Sequence, residues 1–175
     1  ILNGLNGTQT NEIEEISFVN GGTTVTLASI RAELLLADAT NGNDLIGGTS
    51  DADTLTGGAG DDVLSGGNGA DRYIYKSGDG DDRIADLGTS GTDRLVLDIL
   101  PNQIAYALRL GPDSSDLVLR LPGARDRIIL QDALGTRPEG IEEIEFADGT
   151  IWTRSDMRVA ALNFAQTAGS DNVQG

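Results

Sequence analysis

The sequence contains no cysteine and no histidine, and it has one lysine and one tryptophan. It therefore offers no thiol nucleophile, no imidazole base, no disulfide and no zinc site of the usual nitrogen or sulfur kind. No apolar run approaches the roughly 18 residues of a membrane span. Its start, Ile1-Leu2-Asn3, does not resemble a signal peptide. We expect these 175 residues to be a piece of a longer chain, with one domain and parts of its neighbours.

Acidic side chains are abundant. The chain has 28 Asp and Glu against 12 Lys and Arg, which gives a formal net charge of −16 at pH 7. Such a surface repels nucleic acid and anionic membranes, and it pushes its own compact state apart unless cations neutralise it. Any stabilising metal is then expected to be a hard cation bound through oxygen atoms.

The chain repeats itself over a long period. Residues 1–18 align without a gap on residues 129–146, with nine identities in eighteen positions. After a one-residue difference in a Gly-rich turn the alignment continues, and Ile30-Arg31 falls on Met157-Arg158. The sequence therefore predicts one unit of about 128 residues followed by the start of another copy, as in a tandem array.

A shorter period of nine residues runs from Ala39 to Val96. Its six copies read ATNGNDLIG, GTSDADTLT, GGAGDDVLS, GGNGADRYI, SGDGDDRIA and GTSGTDRLV, and two extra residues precede each of the last two. The eighth position is always large and apolar, and the fourth is Gly in every copy except that of Asp51. The sixth position is always aspartate: Asp44, Asp53, Asp62, Asp71, Asp82 and Asp93.

This spacing predicts stacked turns. A six-residue turn rich in Gly can adopt backbone angles that aim carbonyl oxygens inward, and three further residues form a short strand whose central side chain enters the core. Two nonapeptides complete one coil, so turns 18 residues apart stack on the same edge. The oxygens of two stacked turns then supply about six hard ligands and two negative charges, which suits calcium better than magnesium.

The nonapeptide resembles the repeat of the RTX (repeats-in-toxin, haemolysin-type) calcium-binding proteins, G-G-x-G-x-D-x-U-x. The copies GGAGDDVLS and GGNGADRYI match that pattern in full, and the later segment IEEIEFADGTIW is similar to the strand-rich region that follows such arrays in large secreted bacterial proteins. The resemblance implies that one turn gives the carbonyls of its second and fourth residues and its Asp. The turn stacked on it gives the carbonyls of its first and third residues and its own Asp.

Carried over residue by residue, the resemblance implies about four calcium ions. At the first site Thr40, Gly42 and Asp44 face Gly57, Ala59 and Asp62, and at the second Thr49, Asp51 and Asp53 face Gly66, Asn68 and Asp71. At the third site Gly58, Gly60 and Asp62 face Ser77, Asp79 and Asp82, and at the fourth Gly67, Gly69 and Asp71 face Gly88, Ser90 and Asp93. Asp51 in place of Gly departs from the pattern, as do the insertions before the third and fourth sites.

The rest of the unit predicts short strands and two copies of one short helix. Strands are expected at 94–97, 104–110, 117–121, 127–130, 141–146 and 151–152, and helices at 29–37 and 155–162, the second capped by Ser155. The predicted fold is all-β: a right-handed parallel β-roll at 39–96, flanked at 97–154 by a short-stranded antiparallel segment. Residues 1–38 are expected to end a preceding unit, and 155–175 to form a capping helix and the start of the next unit.

Other interpretations explain less of the pattern. A flexible acidic linker would not place an apolar side chain at every eighth position. Residues 79–82 resemble the start of an EF-hand loop, but the Gly is misplaced. Glu142 and Glu143 suggest paired catalytic carboxylates, yet neighbours on a strand point to opposite faces, which favours structural roles. Phe146 and Trp152 are expected to be core aromatics, with a glycan-stacking surface as the alternative.

The resemblance implies a calcium-binding structural or spacer module of a type I-secreted bacterial toxin or adhesin, located outside the cell and folding on calcium after export. Its expected partners are calcium ions and neighbouring tandem units, without nucleic acid or a membrane span. Two alternatives stay open: an adhesion module that holds a glycan or other surface ligand, and an accessory module of a secreted enzyme. No nucleophile with a base is evident, so no catalytic activity is expected within the chain.

Overall fold

The computed structural model describes residues 15–17, 24–111, 114–123 and 126–169. The strands are β1 (Glu15–Ser17), β2 (Thr24–Thr26), β3 (Leu45–Gly47), β4 (Thr54–Thr56), β5 (Val63–Ser65), β6 (Arg72–Tyr75), β7 (Asp81–Ile84), β8 (Arg94–Leu97), β9 (Tyr106–Arg109), β10 (Leu117–Arg120), β11 (Arg127–Leu130), β12 (Glu143–Glu145) and β13 (Ile151–Thr153). The helices are α1 (Leu27–Asp38) and α2 (Arg154–Gly169), with a 3-10 turn at Pro101–Gln103. Neither α1 nor α2, the helices of the described ranges, has the length and apolar character needed to cross a bilayer.

The nonapeptides form a parallel β-roll, as predicted. Successive strands alternate between two sheets: β3, β5 and β7 neighbour one another in one sheet, and β4, β6 and β8 in the other. All of these pairings are parallel, with Ile46 opposite Leu64 and Leu55 opposite Tyr73. Two nonapeptides therefore make one coil, because every second copy returns to the same sheet.

The core lies between the two sheets. The apolar residue at the eighth position of each nonapeptide points inward, and all six are at most 2% exposed: Ile46, Leu55, Leu64, Tyr73, Ile84 and Leu95. Each short strand contributes one or two buried side chains to this core. Burying a side chain of this size contributes about 1.5–3 kcal/mol, so the roll gains modest packing energy per coil and depends on its turns.

The flanking segment continues both sheets of the roll. β9, β10 and β11 pair antiparallel with one another, as expected for this segment, but β11 joins β7 in parallel. In the other sheet β12 joins β8 in parallel and β13 adds an antiparallel edge. The core is continuous across the junction, since Leu119, Ile128 and Ile144 are fully buried in the same cluster as the roll residues.

The long repeat is visible as the same hairpin and helix in two copies. β1 and β2 pair Ile16 with Val25, and β12 and β13 pair Ile144 with Trp152, each followed at once by a helix. Thr26 caps α1, and in the second copy the N–H and hydroxyl of Thr153 both donate to Asp156. The predicted cap Ser155 is therefore wrong, because α2 begins one residue before it.

Strands in largely parallel sheets dominate the described residues, which confirms the predicted β-roll. The description "all-β" is approximate, since α1 and α2 cover the two ends of the molecule. α1 packs on β3 and β4 at the start of the roll, and α2 packs on β9 and β13. Parts of the predicted end segments, 1–14, 18–23 and 170–175, lie outside the described residues.

Candidate metal centre

The sixth-position aspartates form two hydrogen-bonded ladders, one along each edge of the roll. On one edge the N–H of Asp44 donates to Oδ1 of Asp62 at 2.8 Å, and the N–H of Asp62 donates to Oδ1 of Asp82 at 3.0 Å. On the other edge the same bonds join Asp53 to Asp71 at 2.7 Å and Asp71 to Asp93 at 2.9 Å. The carboxylates of Asp62, Asp71, Asp82 and Asp93 therefore bind the backbone of the preceding turn on their edge and fix the stacking.

Glu142 extends the second ladder. Its Oε2 accepts the N–H of Asp93 at 2.8 Å, and its Oε1 forms an ion pair with Arg154 at 2.5 Å. Arg154 also donates to the carbonyls of Ile141 and Gly140. Glu143, on the opposite face of the strand, pairs with Arg94. The adjacent glutamates thus have separate packing roles, as their placement on a strand predicts.

Two of these carboxylates have a buried oxygen that accepts no hydrogen bond. Asp62 and Asp71 are 1% and 0% exposed, and Oδ2 of each is buried with no hydrogen bond. Burying an unsatisfied ionised oxygen is costly unless a cation balances it. Asp44 and Asp53, in the first turns of the two ladders, differ because their Oδ2 atoms accept the N–H and hydroxyl of Thr40 and Thr49.

Burial opposes ionisation along the ladders. Desolvation raises the pKa of Asp71 to about 6, opposed by the N–H of Asp53 and reinforced by the charges of Asp86 and Asp53. Desolvation also raises the pKa values of Asp82 and Asp93 to about 7, with neighbouring carboxylates adding to the effect, and it raises the pKa of Asp62. At neutral pH the stacked carboxylates therefore favour a bound cation or a proton.

Each predicted site lies between two turns, of which the one earlier in the sequence is called the lower turn and the one stacked on it the upper turn. The backbone carbonyls predicted as ligands in the lower turn point toward the upper turn. The carbonyl oxygens of seven of the eight predicted residues approach a glycine or bridge partner of the next turn: Thr40, Gly42, Thr49, Asp51, Gly60, Gly67 and Gly69. A Cβ added to Gly60, for example, would lie 2.5 Å from the carbonyl oxygen of Gly42. Only a residue without a side chain permits this approach, which explains the Gly-rich pattern.

The third predicted site is the least regular. No atom lies within 4 Å of a Cβ added to Gly78, so the carbonyl of Gly58 has no matching glycine above it. The N–H of Ser77 donates to Asp98, which belongs to the segment after the roll. The carbonyls of Asp79 and Ser90 do face the preceding turn, where they accept the N–H groups of Gly60 and Gly69. The two-residue insertion before this turn accounts for the difference.

The remaining residues predicted as ligands in the upper turns lie between the same pairs of stacked turns. The contacts of their carbonyl oxygens do not distinguish them from their neighbours. Gly57 and Gly66 lie against the unpartnered oxygens of Asp62 and Asp71, so a Cβ at either position would collide with the carboxylate. Gly88 lies against the carbonyl of Gly67. Ala59 and Asn68 occupy the same turns, and the side-chain carbonyl of Asn68 accepts the N–H of Thr89.

Asp51 has a separate role for its side chain. It forms an ion pair with Arg31 of α1, so the helix is anchored to the first coil at this position. The matching residue in the later turns is a glycine with positive φ, 131° in Gly69 and 97° in Gly91, whereas Asp51 lies outside that region. The departure from Gly is tolerated because the first coil does not require a left-handed angle there.

Asp86 is the ligand candidate that the sequence pattern missed. It is 0% exposed, and its carboxylate lies with those of Asp71 and Asp93 so that one oxygen of each falls within 4.8 Å of the others. The hydroxyl of Tyr73 and the N–H of Gly88 donate to it. Asp86 occupies the insertion before the sixth nonapeptide, outside the nine-residue register, so no periodic signal marked it. The fourth predicted site thus gathers three carboxylates.

These residues fit calcium better than any other common metal. The predicted donors are carboxylate and carbonyl oxygens, the chain has no His or Cys, and the buried Oδ2 atoms of Asp62 and Asp71 lack a partner. Calcium takes six to eight oxygen ligands in flexible geometry, whereas magnesium demands a tighter octahedron and retains water.

Two family models match the chain. Residues 38–73 match the RTX calcium-binding nonapeptide repeat (four copies), and residues 116–156 match the haemolysin-type calcium-binding protein related domain. No curated protein matches the chain. The first match ends within β6, yet the structure continues the same ladder through β7 and β8. The second covers β10 to β13 and the first turn of α2.

Proposed function

The chain is an RTX repeat protein with calcium-binding nonapeptides, and we propose that it is a calcium-gated structural module of a secreted bacterial toxin or adhesin. In this proposal the roll folds when calcium bridges its stacked turns outside the cell, and it then serves as a rigid spacer within a tandem array. The observation that carries the proposal is the pair of ladders, whose buried carboxylates Asp62 and Asp71 each keep one oxygen without a protein partner.

The electrostatics give the proposed switch its direction. Without a cation, ionising Asp71, Asp82 and Asp93 within the fold is opposed by desolvation and by neighbouring carboxylates. With an extracellular-type Kd of about 10⁻⁴ M and millimolar calcium, each bound ion adds roughly 1.4 kcal/mol. Four ions would add roughly 5–6 kcal/mol, comparable to the stability of a small domain. Calcium binding is then folding energy.

The proposed ligand sets are those of the four predicted sites, with Asp86 added to the fourth. We place the weakest site at the third position, where Gly58 lacks a stacked counterpart. We place the strongest at the fourth, where three carboxylates meet. Phe146 and Trp152 pack edge to face with their ring centroids 4.8 Å apart, which supports their role as core aromatics.

Calcium titration by calorimetry, followed in parallel by far-UV circular dichroism, tests the proposal. In EGTA the chain should show little strand signal, and calcium should induce it together with a change in the fluorescence of Trp152. The calorimetric stoichiometry gives the number of ions. An unchanged dichroism spectrum and unchanged fluorescence between EGTA and millimolar calcium would refute the proposal, and magnesium at the same concentration serves as the control.

A further inference from the structure

The repeated capping helix has a different face covered in each copy. In α1, Leu35 is 7% exposed and lies in a cleft that α1 forms with residues 51–54 of the first coil. Arg31 lines the same cleft and pairs with Asp51. Leu34, the next residue around the helix, is 60% exposed. The covered face of α1 is therefore the one that meets the roll after it.

In α2 a different face is covered, about 100° around the helix because it is offset by one residue. Met157 and Ala161 are 0% and 7% exposed, and they belong to the core of the unit that precedes the helix. Val159 and Leu162 are 56% and 62% exposed. The helix therefore packs on β9 and β13 behind it and leaves an apolar pair uncovered.

The repeat relates these faces residue by residue. An offset of 127 places Leu34 on Ala161 and Leu35 on Leu162. At both positions the residue that is buried in one copy is exposed in the other. The two copies together describe one helix with two apolar faces, of which one meets the preceding unit and the other meets the following roll.

We propose that Val159 and Leu162 form a docking surface for the first coil of a following copy of this unit, seated as residues 40–56 are seated on α1. This inference rests on the proposed function, since it requires a tandem array, and it adds the means of joining. The helix would be shared between two units, so that adjacent rolls become one continuous body rather than beads on a flexible linker.

The end of the helix supports the same occupant. α1 ends at Asp38, and the next residues lead into the first turn, where Thr40 bridges Gly58. α2 runs to Gly169, four residues beyond the position that matches Asp38. Gly169 aligns with Gly42, which lies inside the first turn of the roll. In a joined chain residues 166–169 would therefore leave the helix and begin the next turn.

A two-unit chain tests this inference. Residues 1–169 followed by residues 43–175 join two copies in the register of the repeat. Hydrogen exchange in calcium, read by mass spectrometry, should show protection of the second copy of residues 43–56. The variant Leu162→Asp should abolish that protection, with exchange there at least tenfold faster, and should lower the unfolding midpoint of the two-unit chain.

The matched control is Ala165→Asp, which adds the same charge at a position exposed in both helix copies, since its counterpart Asp38 is also exposed. It should leave exchange unchanged. Leu162→Asp should also leave the single-unit chain unchanged, whereas Leu35→Asp should destabilise it. If Leu162→Asp behaves like Ala165→Asp in the two-unit chain, or destabilises the single unit, the docking surface is refuted. If neither roll gains strand structure with calcium, the proposed function fails instead.

Discussion

Replacing Asp71 with Asn should change stability in opposite directions with and without calcium. Asp71 is 0% exposed, and desolvation, with the charges of Asp86 and Asp53, raises its pKa from 3.8 to about 6. One pKa unit corresponds to about 1.4 kcal/mol. Keeping this carboxylate ionised in the metal-free fold at pH 7 therefore costs roughly 3 kcal/mol relative to the unfolded chain.

Asparagine removes that cost and keeps a carbonyl oxygen for the N–H of Asp53. Without calcium, Asp71→Asn should therefore raise the free energy of unfolding by up to about 3 kcal/mol. With calcium the sign reverses, because Asp71 serves both the second and the fourth proposed site. If each site contributes roughly 1.4 kcal/mol at millimolar calcium, weakening both lowers the free energy of unfolding by up to about 3 kcal/mol.

Urea unfolding at pH 7, followed by circular dichroism and by the fluorescence of Trp152, measures both effects. One series contains EGTA with the osmolyte TMAO, which favours the compact state, and the other contains millimolar calcium. Glu33→Gln is the control, because it removes the same charge from an exposed position of α1. Destabilisation of equal size in both series would contradict the argument, since Asp71 would then act as a packing residue and not as a metal ligand.

Three further changes test other parts of the structure. Acidifying the metal-free chain from pH 8 to 5 should increase its strand signal, because burial raises the folded pKa values of Asp82 and Asp93 to about 7 and the folded state therefore gains stability as pH falls from about 7 toward 4. In calcium, acidification should instead release the ions. An identical pH response in the two conditions would be inconsistent with ladder carboxylates as ligands. In thermal unfolding of the calcium-bound chain, Gly80→Ala should lower stability by about 3 kcal/mol or more and Gly78→Ala by about 1–2 kcal/mol. Both glycines have positive φ, but only Gly80 stacks on a carbonyl. Equal losses of stability in the two variants would argue against stacked turns. Arg154→Met should lower stability by roughly 2–3 kcal/mol in urea unfolding because it leaves partly buried carbonyls and a glutamate without their donor, and a neutral result would remove Arg154 from the end of the ladder.

The roll could be predicted from the sequence because its information is periodic. Each nonapeptide carries its own Asp and its own apolar residue, and both recur with enough regularity to fix the alternation between sheets. The buried positions Ile46 and Tyr73 and the ladder residues Asp62 and Asp71 all follow from that register. Local spacing is sufficient where neighbouring coils are also neighbours in sequence.

The parts that could not be predicted depend on contacts across long separations or outside the register. Glu142 completes the ladder of Asp93 from 49 residues away, and no local spacing relates the two. Asp86 lies in an insertion, so it reaches the fourth site only because Tyr73 and Gly88 hold it there. The parallel pairing of β11 with β7 also joins segments that are far apart in the sequence, because the chain returns after the roll to a sheet that contains β7.

The ends of the two ladders differ from their interiors, and we expect the proposed dependence on calcium to be greatest in the interiors. At the start, Oδ2 of Asp44 accepts hydrogen bonds from the N–H and hydroxyl of Thr40, and at one end Glu142 is neutralised by Arg154. Between them Asp62 and Asp71 have buried oxygens that no protein group satisfies. Since these two are the ladder carboxylates with a buried, unpartnered oxygen, we expect a divalent cation to act there, where stacking is otherwise least favourable. We therefore expect the coils between the ladder ends to depend most strongly on calcium.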